Sequence, residues 1–179
     1  AKRLVSRAMR TFLGIALLSL ALASCASVPP VPATKLEKAN VLPLALNDNF
    51  QFRKVKLYYH QNIPAPTTTS EMILFERQRV TWGYVNGYDT QKLFGNYFTF
   101  FWRTSETADV TFRLEYRQSA LGNQVLAQER YYPGARGSFQ SDFTVIGDDY
   151  LEFGAVTSWR ALLIVDGRIV ALKQSFMWK

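Results

Sequence analysis

The sequence predicts an all-β domain built as a two-sheet sandwich, immunoglobulin-like or related, of about eight strands. A lipocalin-type barrel is the alternative. Three observations predict it. Residues 109–118 alternate strictly, with Val110, Phe112, Leu114 and Tyr116 apolar and Thr111, Arg113, Glu115 and Arg117 polar, the period of a strand with one buried face. Asp166-Gly167 joins two β-rich runs, the signature of a type I′ hairpin. Gly, Pro, Asn and Asp punctuate the chain between short apolar runs, as in sandwiches and barrels.

The candidate strands follow in order. Residues 50–59 form the first, and 62–70 a loop with Pro64 and Pro66. Residues 72–85 read as a long strand, bounded by the turn signal Asn86-Gly87. Residues 96–104 and 109–118 are two more. Leu121-Gly122-Asn123 turns the chain into 124–132, and Pro133-Gly134 with Gly137 mark a loop before 138–146, where Phe139, Phe143 and Val145 alternate. Residues 158–165 and 168–178 flank the last hairpin. In 158–165 both faces are apolar, through Ala161 and Leu163 on one side and Leu162 and Ile164 on the other, as expected of a strand covered on both sides. No Cys–Trp–Cys pattern occurs, so a true immunoglobulin domain is not indicated.

Composition sets the class. In 179 residues, 48% are hydrophobic, 15% aromatic and 20% charged, enough apolar content for one core and too little charge for a disordered chain. The formal charge of +7 invites a nucleic-acid reading, but its distribution argues against one. Lys2, Arg3, Arg7 and Arg10 precede an uncharged run without any acid among them, and the remaining basic residues are scattered.

That N-terminus carries the most specific signal. Residues 1–10 are basic, 11–24 are uncharged and shorter than a bilayer span, and the run ends in small residues. This is the pattern of a secretory signal peptide, with Met9 a further plausible start. Leu22-Ala23-Ser24-Cys25 resembles the lipobox of bacterial lipoproteins. The resemblance implies cleavage before Cys25, acylation of Cys25, and anchoring by two or three acyl chains, which hold a membrane stably where one does not. By the same resemblance Ala26, where an Asp commonly retains such proteins at the inner membrane, implies the outer membrane, and an outer-membrane lipoprotein facing the periplasm is expected. The expected division is a signal peptide at 1–24, a lipidated Cys25 with a Pro-rich tether through 48, and a β-sandwich at 49–179. Pro29, Pro30 and Pro32 favour an extended spacer, and residues 41–46, more apolar, suit packing against the domain.

Candidates for chemistry are few. His60 is the single histidine and ends an apolar strand, where a surface or capping role is expected. Asp148, Asp149 and Glu152 are the one tight acidic cluster, without the alternating spacing of a calcium loop. Neither a phosphate loop nor a nucleophile elbow is present, and no cofactor is implied. The aromatic strand is more informative. Phe98, Phe100 and Trp102 share one face, and Tyr97, Phe101 and Arg103 the other. With the first face in the core, the second becomes a candidate interface, because Tyr, Phe and Arg are enriched at protein interfaces. Arg77, Arg79, Arg103, Arg113 and Arg117 fall on neighbouring candidate strands and could form a stripe facing an acidic partner. The function expected is a membrane-anchored, non-enzymatic interaction or structural module with an envelope protein as partner. Binding of a glycan or a small apolar ligand is the alternative.

Overall fold

A computed structural model describes residues 31–36, 39–61, 70–83 and 87–178. Cys25 with its lipobox, Pro29, Pro30, the loop at 62–69 and Tyr84–Asn86 lie outside the described residues. Among the described residues, six strands form one antiparallel, unclosed sheet: β1 (Thr34–Leu36), β2 (Phe50–His60), β3 (Gly95–Gln118), β4 (Leu126–Ile146), β5 (Val156–Val165) and β6 (Arg168–Gln174). The order is β1-β4-β3-β5-β6, with β2 also paired to β3. The fold is all-β and sandwich-like, and not a closed barrel.

The sandwich is made by folding one sheet over on itself. β4 runs beside β3 along nearly its whole length. On its other side β3 pairs with β2 through residues 95–104 and with β5 through 111–118. Between these halves the β3–β4 register slips twice, at Thr104/Ala108 and at Ala108/Val110. Extra residues on one strand bend and twist the ladder, which is how strands turn a corner between layers. Pro133 sits there without breaking the strand, since a proline at a bulge removes no regular ladder bond. Gly134, at φ +55°, donates its backbone N–H to Asp109 (2.7 Å).

Folding brings the two halves face to face. The Phe52 and Phe100 rings from one lie 5.7 and 5.2 Å from Phe112 in the other. Phe100 also meets Trp159, at 5.4 Å, and Phe112 meets Phe143, at 5.0 Å. Phe98, Phe100, Trp102, Val110, Leu114, Ala161 and Leu163 complete this core. Two polar groups inside it are satisfied: the Trp102 indole N–H donates to Ser141 Oγ (2.8 Å), and the Gln128 amide donates to the Thr144 carbonyl (2.9 Å).

Several expectations are corrected. The strand expected at 72–85 is not found in its described part: Glu71–Thr81 is a helix, α1. Four successive apolar residues cannot separate helix from strand by periodicity. The Glu76-Arg77-Gln78-Arg79 that follows has no alternation and consists of good helix formers. The Glu76–Arg79 pair, 2.8 Å apart and one turn on, adds support. Among the described residues there are six strands and not eight: 96–104 joins 109–118 and 124–132 joins 138–146 through the bulged corner, the expected strand at 72–85 gives way to α1, and β1 is an addition. Gly87 opens a short helix, α2 (Gly87–Gln91), and Asp148–Phe153 form another, α3.

The turn of the terminal hairpin is as expected, while its second strand ends at Gln174 and not at 178. Val165 pairs with Arg168, and Asp166 and Gly167 both take positive φ, +48° and +71°. Leu162 and Ile164, on the outer face, are buried with Ile169 beneath Leu42. The segment reaching Leu42 runs along β6: Ile169 donates to the Pro43 carbonyl (2.9 Å), and Ala45 returns a bond to the Ile169 carbonyl (2.9 Å).

Candidate functional site

Each half of the folded sheet has an outer face, and both carry residues singled out by sequence. On the first half, the register places Tyr97, Phe101 and Arg103 together, opposite Tyr58, Lys54 and Gln51 of β2. The partition of the strand is as expected, with Phe98, Phe100 and Trp102 buried on the inner side. The outer residues are not equally open. Tyr97 is half-buried and donates its hydroxyl to the Leu93 carbonyl (2.7 Å). Phe101 is half-buried, with Lys56 Nζ 5.8 Å from its ring centre. Arg103 is exposed and donates to Gln51 Oε1 (2.9 and 3.2 Å). α1 stands over this face, and Lys56 Nζ lies 3.9 Å from Glu76. Between helix and strands runs a cleft of about 230 Å³ lined by Lys54, Lys56, Tyr58, Met72, Glu76 and Tyr97, among others.

His60 closes this face, and its expected surface position is a further correction. It is buried, its ring 5.2 Å from Phe94 and its Nδ1 3.2 Å from the Tyr58 hydroxyl. The Phe94 that covers it lies 34 residues downstream, which the local apolar pattern does not show. Burial, and then the positive charge of Arg77, hold its pKa below the usual value. A histidine lowered in the folded state binds protons less readily there than in the unfolded chain. As pH falls below about 6.5, the unfolded chain therefore protonates first and folding loses stability. The thermal midpoint is expected to fall on acidification from about pH 7 to about pH 5, more for the wild type than for His60→Phe. Equal falls in calorimetry would assign the dependence to other groups.

The second outer face holds a charged network. Arg113 donates from Nε to Glu129 (2.5 Å) and from Nη1 to the Asn40 carbonyl (2.9 Å), and its Nη1 lies 3.7 Å from Glu115. Arg160 grips Glu115 Oε2 from the other side, at 3.0 and 2.6 Å. Two guanidinium groups lie against Trp178, Arg117 at 4.6 Å and Arg160 at 4.9 Å from its ring centre. A cleft of about 420 Å³ opens over Arg113, Glu115 and Arg160, walled by residues 39–42 and by Gln124 and Val125. Both carboxylates are gripped by arginine, so the arrangement presents a fixed array of donors and acceptors to a polar group entering the cleft.

The arginine stripe does not form. Arg77 and Arg79 are on α1, Arg103 is on the first outer face, and Arg113 and Arg117 are on the second. Asp149 of the acidic cluster pairs with Lys35, and among the described residues no group of three His, Cys, Asp or Glu side chains converges as a metal site. Sequence reading missed the Glu115 network, because alternation assigns the polar side of 109–118 to solvent. The apolar Leu162 and Ile164 on the paired strand were the available sign that this side is covered. No family model, curated protein or solved structure matches this chain.

Proposed function

We propose that the protein is an envelope lipoprotein, held at the outer membrane by acylated Cys25 and facing the periplasm. Its folded sheet works there as a non-enzymatic docking or structural module. One observation carries the reading: a basic N-terminus, an uncharged run and Leu22-Ala23-Ser24-Cys25 occur together and in that order. The docking role draws support from Tyr97, Phe101 and Arg103, which meet on one outer face with the residue types that dominate interface energetics.

One experiment tests both parts. Cells are fed labelled fatty acid and crosslinked before mild detergent extraction. The wild type is expected to carry label and to trap a stoichiometric envelope protein. Cys25→Ser is expected to carry none, and Tyr97→Ser with Phe101→Ser to keep label and fold but lose the partner. Label on Cys25→Ser would sink the anchor, and an unchanged partner in the double variant would sink the docking face. A second reading, binding of a glycan or small ligand, draws on the polar cleft beside Arg160. It predicts no trapped protein and a shift in Trp178 fluorescence on adding sugars, since Trp178 rests on that same arginine.

A further inference from the structure

An unclosed sheet has edges, and an edge offers unpaired N–H and C=O groups to any extended chain nearby, a second copy of the same protein included. Each edge here is met by a different device. Along β6 the chain at 43–47 supplies backbone bonds, with Ala45 and Asn47 donating to the Ile169 and Val170 carbonyls (both 2.9 Å). β1 covers 127–129 of β4 and is itself only three residues long. β2 carries a bulge between Phe52 and Lys54, with Arg53, Lys54 and Lys56 around it. That leaves the limb of β4 from 138 to 146. Among the described residues, no strand other than β3 pairs with it.

Alternation decides which groups of this limb are open. Gly147, just beyond it, donates to the Phe94 carbonyl (3.3 Å), continuing the register in which Phe143 faces Phe98. Odd-numbered residues therefore bond to β3, and Gln140, Asp142 and Thr144 turn their backbone groups outward. Two of the outward carbonyls are taken. The Gln128 amide donates to that of Thr144 (2.9 Å), and Arg130 Nη2 to that of Asp142 (2.7 Å). Both donors come from the other limb of the same strand, in the opposite half of the folded sheet. Gln128 is buried, and the Arg130 guanidinium lies 5.4 Å from the centre of the Phe143 ring, so both are held in place.

We infer that Gln128 and Arg130 seal the free edge of β4 and keep a second copy of this chain from adding its own β4 there. Two such limbs paired antiparallel about Asp142 need the Asp142 and Thr144 carbonyls as acceptors for the incoming N–H groups. Each carbonyl must first give up its side-chain donor, and the bond from Arg130 is charge-assisted, stronger than the amide bond that would replace it. The strand has need of a seal: Phe143-Thr144-Val145-Ile146 is an uncharged, β-prone run of the kind that pairs when its edge is open. A partner of the domain is then left the side-chain faces of the sheet and not this edge.

The test removes the donors and keeps the volume. Full-length protein is sedimented over a range of concentrations in density-matched detergent, which solvates any acyl chains. The wild type is expected to stay monomeric. Gln128→Met with Arg130→Met is expected to keep its far-ultraviolet spectrum and cooperative melt, since methionine adapts to either site, and to double in protein mass as concentration rises. In that dimer the amides of Gln140, Asp142 and Thr144 become protected from hydrogen exchange. Adding Thr144→Pro, which deletes one outward N–H and no bond to β3, returns the mass to that of a monomer. Should the double variant not fold, Arg130→Met alone, at a half-buried position, is read in the same way, with a smaller rise in mass expected. A folded variant that stays monomeric overturns the inference. So does a dimer that survives Thr144→Pro or leaves those amides unprotected, and so does a wild type already paired through them.

Discussion

Replacing Phe100 with alanine is expected to destabilise the domain by about 3–5 kcal/mol, the cost of emptying a large aromatic site in a packed core. Phe100 is 0% exposed and its ring touches those of Phe52, Phe98, Phe112, Phe143 and Trp159. These neighbours come from both halves of the folded sheet, so the cavity opens at the seam that holds the fold closed. Collapse into the gap is resisted, because β3 and β4 run through both halves and one cannot shift alone. The loss corresponds to a fall in thermal midpoint on the order of 10 °C. Phe100→Leu, which keeps most of the volume, is expected to cost less than half as much. Urea unfolding monitored by tryptophan fluorescence decides it. A cost below about 1 kcal/mol for the alanine variant would mean that the two halves do not depend on this contact.

The inner side of this seam was legible in sequence because each strand carries its own alternation. Phe98, Phe100 and Trp102 announce one buried face, and Val110, Phe112 and Leu114 another, whatever the strands do between them. What local patterns do not carry is that the two strands are one. Pro133-Gly134 and Gly137 read as loop signals, and they do mark a break in the ladder. The break bends the strand where a loop would end it, and only the pairing of β3 with β4 on both sides of it shows which. α1 departs from expectation for a different reason: Met-Ile-Leu-Phe is equally at home in a buried strand, and it is the Glu-Arg-Gln-Arg after it that favours the helix. The candidate site was half legible. Register alone groups Tyr97, Phe101 and Arg103, whereas how far each is covered depends on α1 and on the chain near Leu93, both set by tertiary packing.

The second large effect is expected at Glu115, for electrostatic reasons. The residue is buried at 3% exposure, and its carboxylate is held between Arg113 and Arg160. Removing one member of a buried ionic group leaves the others desolvated without compensation, at a cost of about 3–5 kcal/mol. Here the lower end applies. Arg113 keeps Glu129 and the Asn40 carbonyl, and Arg160, about a third exposed, can turn to water. Glu115→Leu is therefore expected to destabilise by about 3 kcal/mol, and Arg113→Met by a similar amount, because it strips Glu129 of its 2.5 Å partner as well. The double variant separates charge from packing. If the penalty is mainly uncompensated charge, Arg113→Met with Glu115→Leu costs clearly less than the sum of the single changes, since neither buried ion is left facing the other's absence. If the costs add, the two side chains act as independent packing elements, and the ionic contact contributes nothing of its own. The sign of that difference also bears on the cleft above them. A strongly coupled Arg113–Glu115 pair is a rigid floor whose charges are already spent on each other, and a ligand entering there must be recognised by the rim at Asn40 and Gln124.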